Sequence, residues 1–186
     1  MKNWKFLFLL LSVSLLGLSS CDEGSEDKEA VAWQQENIAY IDSIATVARA
    51  NTDGDWKVIL DTGLNPDIQH GNEYYVYCKV LENGGGTEHP VATSKVTVNY
   101  SGSLINGFLF DSTYDGDKPD SYFDVPVVMN LNGTVPGFSK AVQNMVTGDM
   151  WRVYIPAGLG YGAEAKSGIP ANSALIFDIN LVSFEK

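Results

Sequence analysis

Apolar and polar positions alternate along several short runs of this chain, and glycine, proline and aspartate separate the runs. In Lys95–Ser103, Val96, Val98 and Tyr100 share one side and polar residues fill the other, the period-two mark of a half-buried strand. Tyr74–Leu81, Val125–Leu131, Met150–Ile155 and Ser173–Phe184 also read as strands, the last apolar enough to lie mid-sheet, and Trp56–Leu60 reads as a shorter one. Two segments follow the helical period instead. In Glu29–Ala50, Trp33, Tyr40, Ile41, Ile44, Val47 and Ala48 fall on one side. In the run opened by Pro136-Gly137, the positions Phe138, Ala141, Val142 and Met145 make one apolar face, and Gly148 is the stop signal. The pattern predicts an α+β domain, with antiparallel strands and one short helix covering a single sheet face. A lone helix as long as the first is marginal in water, so its stripe needs a partner: its own domain or a second copy of the chain in a homodimer.

The first residues follow another logic. Lys2 and Lys5 precede the apolar run Phe6–Leu18, too short for a comfortable membrane span and laid out as a signal peptide. The run ends Leu18-Ser19-Ser20-Cys21, which resembles the bacterial lipobox, whose cysteine is acylated and becomes the first mature residue. Two or three acyl chains, at about 0.8 kcal/mol per buried methylene, would hold stably in a bilayer. Residues 21–28, rich in Asp and Glu, read as a solvated tether. Acidic residues beside the lipidated cysteine resemble the export signals of some surface lipoproteins. Asp22 directly after the cysteine resembles an inner-membrane retention signal of other bacteria; the expected location is the cell envelope, with the outer membrane or cell surface favoured over the inner membrane.

Charge narrows the partners. The formal net charge is −11, and removal of Lys2 and Lys5 with the leader makes it −13. Such a surface repels phosphates and argues against nucleic acid. Cys78, in a strand-like run, is expected to be a buried, inert thiol with no disulfide. His70 and His89 have no ligand set around them, so no metal site is expected. Asp115, Asp117, Asp120 and Asp124 mark an exposed acidic loop whose spacing matches no calcium-loop motif.

The chemistry-bearing residues lie at turns near strand ends. In order they are Val96-Thr-Val-Asn-Tyr100-Ser-Gly, Phe110-Asp111-Ser-Thr, Val135-Pro-Gly137-Phe138, Gly160-Tyr161-Gly162 and Leu175-Ile-Phe177-Asp178. Aromatics placed this way can converge on one concave apolar pocket. The ordered set, over about residues 74–186, resembles the FKBP-type peptidyl-prolyl cis-trans isomerases. The resemblance implies a twisted antiparallel sheet of five or six strands wrapped around the short helix, with an N-terminal helical extension. With the leader and tether read above, the chain divides into a signal peptide (1–20), an acidic tether (21–28), a helical extension with connector (29–72) and an isomerase domain (73–186).

The same resemblance distributes the roles. Tyr100, Phe110, Asp111, Phe138, Tyr161 and Phe177 would form the catalytic pocket, with Phe138 as its floor and the Tyr161 hydroxyl as a donor to a substrate carbonyl. Thr134 and Val135 would supply a backbone N–H, and Val127 and Ile169 would line the substrate's flanks. Phe138 stands where the family usually has tryptophan, and Val127 near a usual aromatic wall, which implies a more open pocket for macrolides. No cofactor is implied. The substrates would be proline-containing unfolded or exported proteins. A chaperone or peptide-binding module with weak or no isomerase activity is the alternative that the Phe138 and Val127 departures leave open.

Overall fold

The computed structural model describes residues 23–116, 119 and 124–186. The expected leader, Cys21, and Asp117 and Asp120 of the acidic loop lie outside the described residues. Among those residues no helix is long and apolar enough to cross a membrane.

Helix α1 runs Glu23–Ala50, so it begins inside the stretch expected as a tether. Strands β1 (Trp56–Leu60), β2 (Tyr75–Glu82), β3 (Lys95–Ser103), β4 (Leu109–Ser112), β5 (Val127–Asn130), β6 (Met150–Ile155) and β7 (Leu175–Glu185) follow, with helix α2 (Pro136–Val142) between β5 and β6. They form one seven-stranded sheet in the order β1-β2-β6-β7-β3-β4, with β5 also paired to β3. Every pairing is antiparallel.

The strand number exceeds the five or six expected, for two reasons. The connector contributes β1 as an edge strand against β2. Two short strands also share one edge of β3 end to end, β5 on Lys95–Val98 and β4 on Ser101–Ser103. Helix α2 also ends earlier than Gly148, at Val142. There the Asn144 N–H turns to the Ala141 carbonyl at 2.9 Å, and the Asn144 side-chain amide donates to the Lys140 carbonyl at 2.8 Å, taking the acceptor that the next helical bond would have used.

Alternation sorts the sheet into two faces. Val76 and Cys78 of β2, Val96 and Val98 of β3, Trp151, Val153 and Ile155 of β6, and Phe177, Ile179 and Leu181 of β7 are buried around Phe138, Ala141 and Val142 of α2. Cys78 is a free, fully buried thiol, and burial pushes its pKa well up, so it stays protonated and unreactive. The opposite face presents Tyr77 and Tyr154, and α1 covers it with Ile41, Ala45 and Ala48, flanked by Tyr40 and Ile44. Trp56 of β1 stacks on Tyr154, ring centroids 5.7 Å apart.

The partner of the α1 stripe is therefore the domain's own sheet. The stripe differs from the expected one in detail: Val47 is exposed, whereas Asn37 and Ala45 are buried. Asn37 is tolerated there because both ends of its amide are used. Its Nδ2 donates to the Trp33 carbonyl at 2.7 Å and its Oδ1 accepts the Ala174 N–H at 2.8 Å. The Trp33 indole N–H donates to Ser173 Oγ at 3.0 Å, a second tie to the same segment. At the other end, the Arg49 guanidinium lies 5.0 Å from the Tyr75 ring centroid and donates to Asn72, which in turn donates to Asp42 at 2.7 Å. The connector is pinned from the α2 side, where buried Lys140 pairs with Asp61 at 2.7 Å and donates to Thr62 Oγ1 at 2.5 Å.

Asn37→Ala leaves the buried Ala174 N–H without an acceptor. Stability should fall by about 1–3 kcal/mol in urea unfolding, with the m-value unchanged. A loss within error would mean that the helix is not held by this bond.

Candidate active site

Pairing across β3 builds the site. Gly102 of β3 lies opposite Phe177 of β7 on one side and opposite Asp111 of β4 on the other. A Cβ added at Gly102 would stand 2.5 Å from Phe110 Cε2 and 2.8 Å from Phe177 Cε1, so only glycine lets these two rings close over the strand. Tyr100, two residues earlier, projects from the same face. Phe138 rises from the first turn of α2, and its helix sits close to β6 because Gly137 packs on Ile155, with room for no Cβ.

The four rings meet edge to face. Phe177 is their hub, with centroids 5.3 Å from Phe138, 5.6 Å from Phe110 and 6.1 Å from Tyr100, at interplanar angles of 84°, 83° and 60°. Tyr100 and Phe138 are 6.1 Å apart at 82°. Each ring edge thus addresses a neighbouring ring face, the favourable quadrupole arrangement. They line a cavity of about 450 Å3, within the range of small-ligand sites.

Polar groups stand at its margin. The Tyr100 hydroxyl donates to Asp111 Oδ2 at 2.5 Å. Burial, reinforced by this carboxylate, pushes the Tyr100 pKa up, so the phenol keeps its proton and the bond. Tyr161 is 37% exposed, and its hydroxyl has no acceptor among the described residues. The Val135 N–H, at the foot of α2, is also unpaired among the described residues. The loop after Tyr161 is closed by reciprocal backbone bonds, Lys166 N–H to the Ile169 carbonyl at 2.9 Å and Ile169 N–H to the Lys166 carbonyl at 3.0 Å, which sets buried Ile169 into the wall.

Of the residues singled out from sequence, Tyr100, Phe110, Asp111, Thr134, Val135, Phe138, Tyr161, Ile169 and Phe177 all line this one cavity. Val127 does not. It pairs with Val98 and packs into the inner core, and Met129, two residues on along the same face of β5, takes the wall position. Gly133, Lys166 and Ser167 also line the cavity and were not anticipated. Period-two reasoning could have found Met129 from Val127; no periodic signal marks Lys166 or Ser167. Among the described residues no group of three His, Cys, Asp or Glu side chains is placed to hold a metal ion.

A family model described as FKBP-type peptidyl-prolyl cis-trans isomerase matches residues 86–182, a stretch that holds every wall of the cavity. The chain belongs to the FKBP family. Outer membrane protein MIP of Legionella longbeachae is 38% identical over 109 residues, 58% of this chain and 43% of that protein. The FKBP-type isomerase FkpA of Aeromonas hydrophila is 30% identical over 169 residues, 91% of this chain and 53% of the relative. The crystal structure of FkpA from Escherichia coli superposes with a TM-score of 0.63 at 27% identity, covering 88% of this chain and 64% of that one. The chain spans about half the length of the curated relatives it matches.

Two outcomes check this FKBP site. Gly102→Ala should force Phe110 and Phe177 apart, lowering stability by about 1–3 kcal/mol and weakening the near-ultraviolet dichroism of the ring cluster. An unchanged spectrum would mean that the rings do not close over Gly102. The second outcome concerns base. In the unfolded chain a tyrosine ionises near pH ~10, whereas folded Tyr100 holds its proton to higher pH. Its stabilisation is present below that pH and is lost as pH rises toward the folded value. Tyr100→Phe should therefore make the alkaline fall in stability shallower above pH ~10, read by urea unfolding at stepped pH.

Proposed function

We propose that this chain is a peptidyl-prolyl cis-trans isomerase that turns X-Pro bonds in exported proteins while held at the cell envelope by a lipid on Cys21. The observation that carries the activity is the four-ring cluster around Phe177, an apolar seat the size of a small ligand with uncommitted donors only at its margin. The envelope location rests on the leader and on Cys21, and it accords with the printed name of the Legionella relative.

The chemistry follows from the bond to be turned. The X-Pro amide has a rotational barrier of about 18–20 kcal/mol and isomerises unaided over tens to hundreds of seconds. At the twisted transition state the C–N bond loses double-bond character and the carbonyl loses part of its dipole. A dry, apolar seat disfavours the planar, more polar amide relative to the twisted one, which is differential binding of the transition state. Phe138, Phe110 and Phe177 would hold the pyrrolidine ring. The free Tyr161 hydroxyl and Val135 N–H would hold flanking carbonyls and so fix which bond turns. Tyr100 donates its hydroxyl proton to Asp111, so that hydroxyl brings no unpaired donor into the cup. A barrier lowered by ~4 kcal/mol would accelerate the turn roughly a thousandfold.

The test is a protease-free assay on a fluorescent X-Pro-Phe peptide. Phe138→Ala removes the seat and should lower kcat/KM by about ten- to a hundredfold; Tyr161→Phe removes one donor and should lower it by about three- to tenfold. Circular dichroism checks that each variant is folded. A native chain that gives no acceleration at micromolar concentration, or a folded Phe138→Ala variant with undiminished kcat/KM, sinks the proposal.

A further inference from the structure

The cavity has a charged lip, and its two charges differ in how firmly they are held. Among the described residues, Asp111 and Lys166 are the charged members of its lining. Asp111 is fixed by the Tyr100 hydroxyl. Lys166 is fixed only through its backbone, by the reciprocal bonds to Ile169 that place its Cα beside the wall. Its ammonium group lies 5.7 Å from the Tyr161 ring centroid, over the ring whose hydroxyl is free. Among the described residues the one carboxylate it meets is Glu164, Nζ to Oε2 at 2.6 Å, in a pair whose side chains are 44% and 75% exposed. The surrounding water makes such a pair weak, so another carboxylate can replace Glu164 at little cost.

We infer that Lys166 is a specificity-determining residue: it favours polypeptide segments with an acidic residue adjoining the proline, whose carboxylate takes the place Glu164 occupies. This deepens the isomerase reading and rests on it. Three observations converge. Lys166 is the cation of the cavity lining, on a chain of formal net charge −11 that otherwise repels acidic segments. The ammonium stands beside Tyr161, whose hydroxyl is free to hold a carbonyl next to the X-Pro bond that turns, so a side chain one residue from the proline falls within its reach. Glu164 already shows that a carboxylate fits against it at hydrogen-bonding distance. A basic residue at the same place in the segment would meet Lys166 as a like charge and be disfavoured.

The experiment compares kcat/KM on peptides that carry Glu, Leu or Lys immediately before the proline, and on a second series that carries them immediately after it. In one series the native chain should prefer Glu to Lys by about two- to fivefold at low salt, the range of an exposed ion pair, and 1 M salt should flatten the preference. Lys166→Gln should abolish it and Lys166→Glu should invert it. Glu164→Gln should raise kcat/KM for the Glu peptide relative to the Leu peptide, because the competing carboxylate is gone; a lysine acting only in loop structure would not produce that change. If the Leu peptide is isomerised and the Glu-to-Lys ratio is the same in the native chain and both Lys166 variants, the inference falls and the isomerase reading stands. If no peptide is isomerised, both fall.

Discussion

A sheet that is apolar on both faces must be covered on both, and this requirement organises the molecule. Strand β6 carries it in the fewest residues: Trp151, Val153 and Ile155 face α2, and Tyr154 faces α1. Neither helix is self-sufficient. Helix α2 has seven residues, far fewer than an isolated helix needs, and it persists because Phe138, Ala141 and Val142 are buried in the sheet's concave side. Helix α1 is long, but its stripe would be open to water without Tyr77, Tyr154 and Trp56 beneath it.

The cavity is a by-product of the same packing. Inner-face positions of β3 and β7 continue past the end of α2, and there the core has no helix to meet. Tyr100 and Phe177 then pack on Phe110 and on Phe138 at the start of α2, and the cup between them stays open. The close approach depends on a missing side chain at Gly102 as much as on the rings that are present. Rings locked edge to face by their neighbours have little freedom to collapse into the space, which keeps the seat preformed.

The bounds of some strands are legible to the residue. Lys95–Ser103 is read from alternation with the bounds the structure gives it, and the run closed by Pro156 gives Met150–Ile155, a strand buried on both faces. What alternation cannot fix is distance along a strand. The family resemblance put Val127 on the correct face of β5, and alternation could not tell that Met129, one repeat further, reaches the cavity. Helical periodicity failed where hydrophobicity and burial part company: Val47 is apolar and exposed, and Asn37 is polar and buried because both ends of its amide are bonded. The strands that share one edge of β3 were blurred because pairing partners are set by tertiary contact, not by pattern. Most of the site was named through ordered aromatics and glycines. Lys166 was not, since a loop side chain leaves no periodic trace.

The grip of α1 on Ser173 and Ala174 has a mechanical side. That pair follows directly on the loop that ends in Ile169, so the helix is bolted to the rear of the cavity wall. A 28-residue helix is about 42 Å long, and the part beyond Trp33 moves with the sheet. The mouth of the cup therefore has a set heading relative to the helix axis, and turning α1 would turn the opening with it as a handle turns a ladle.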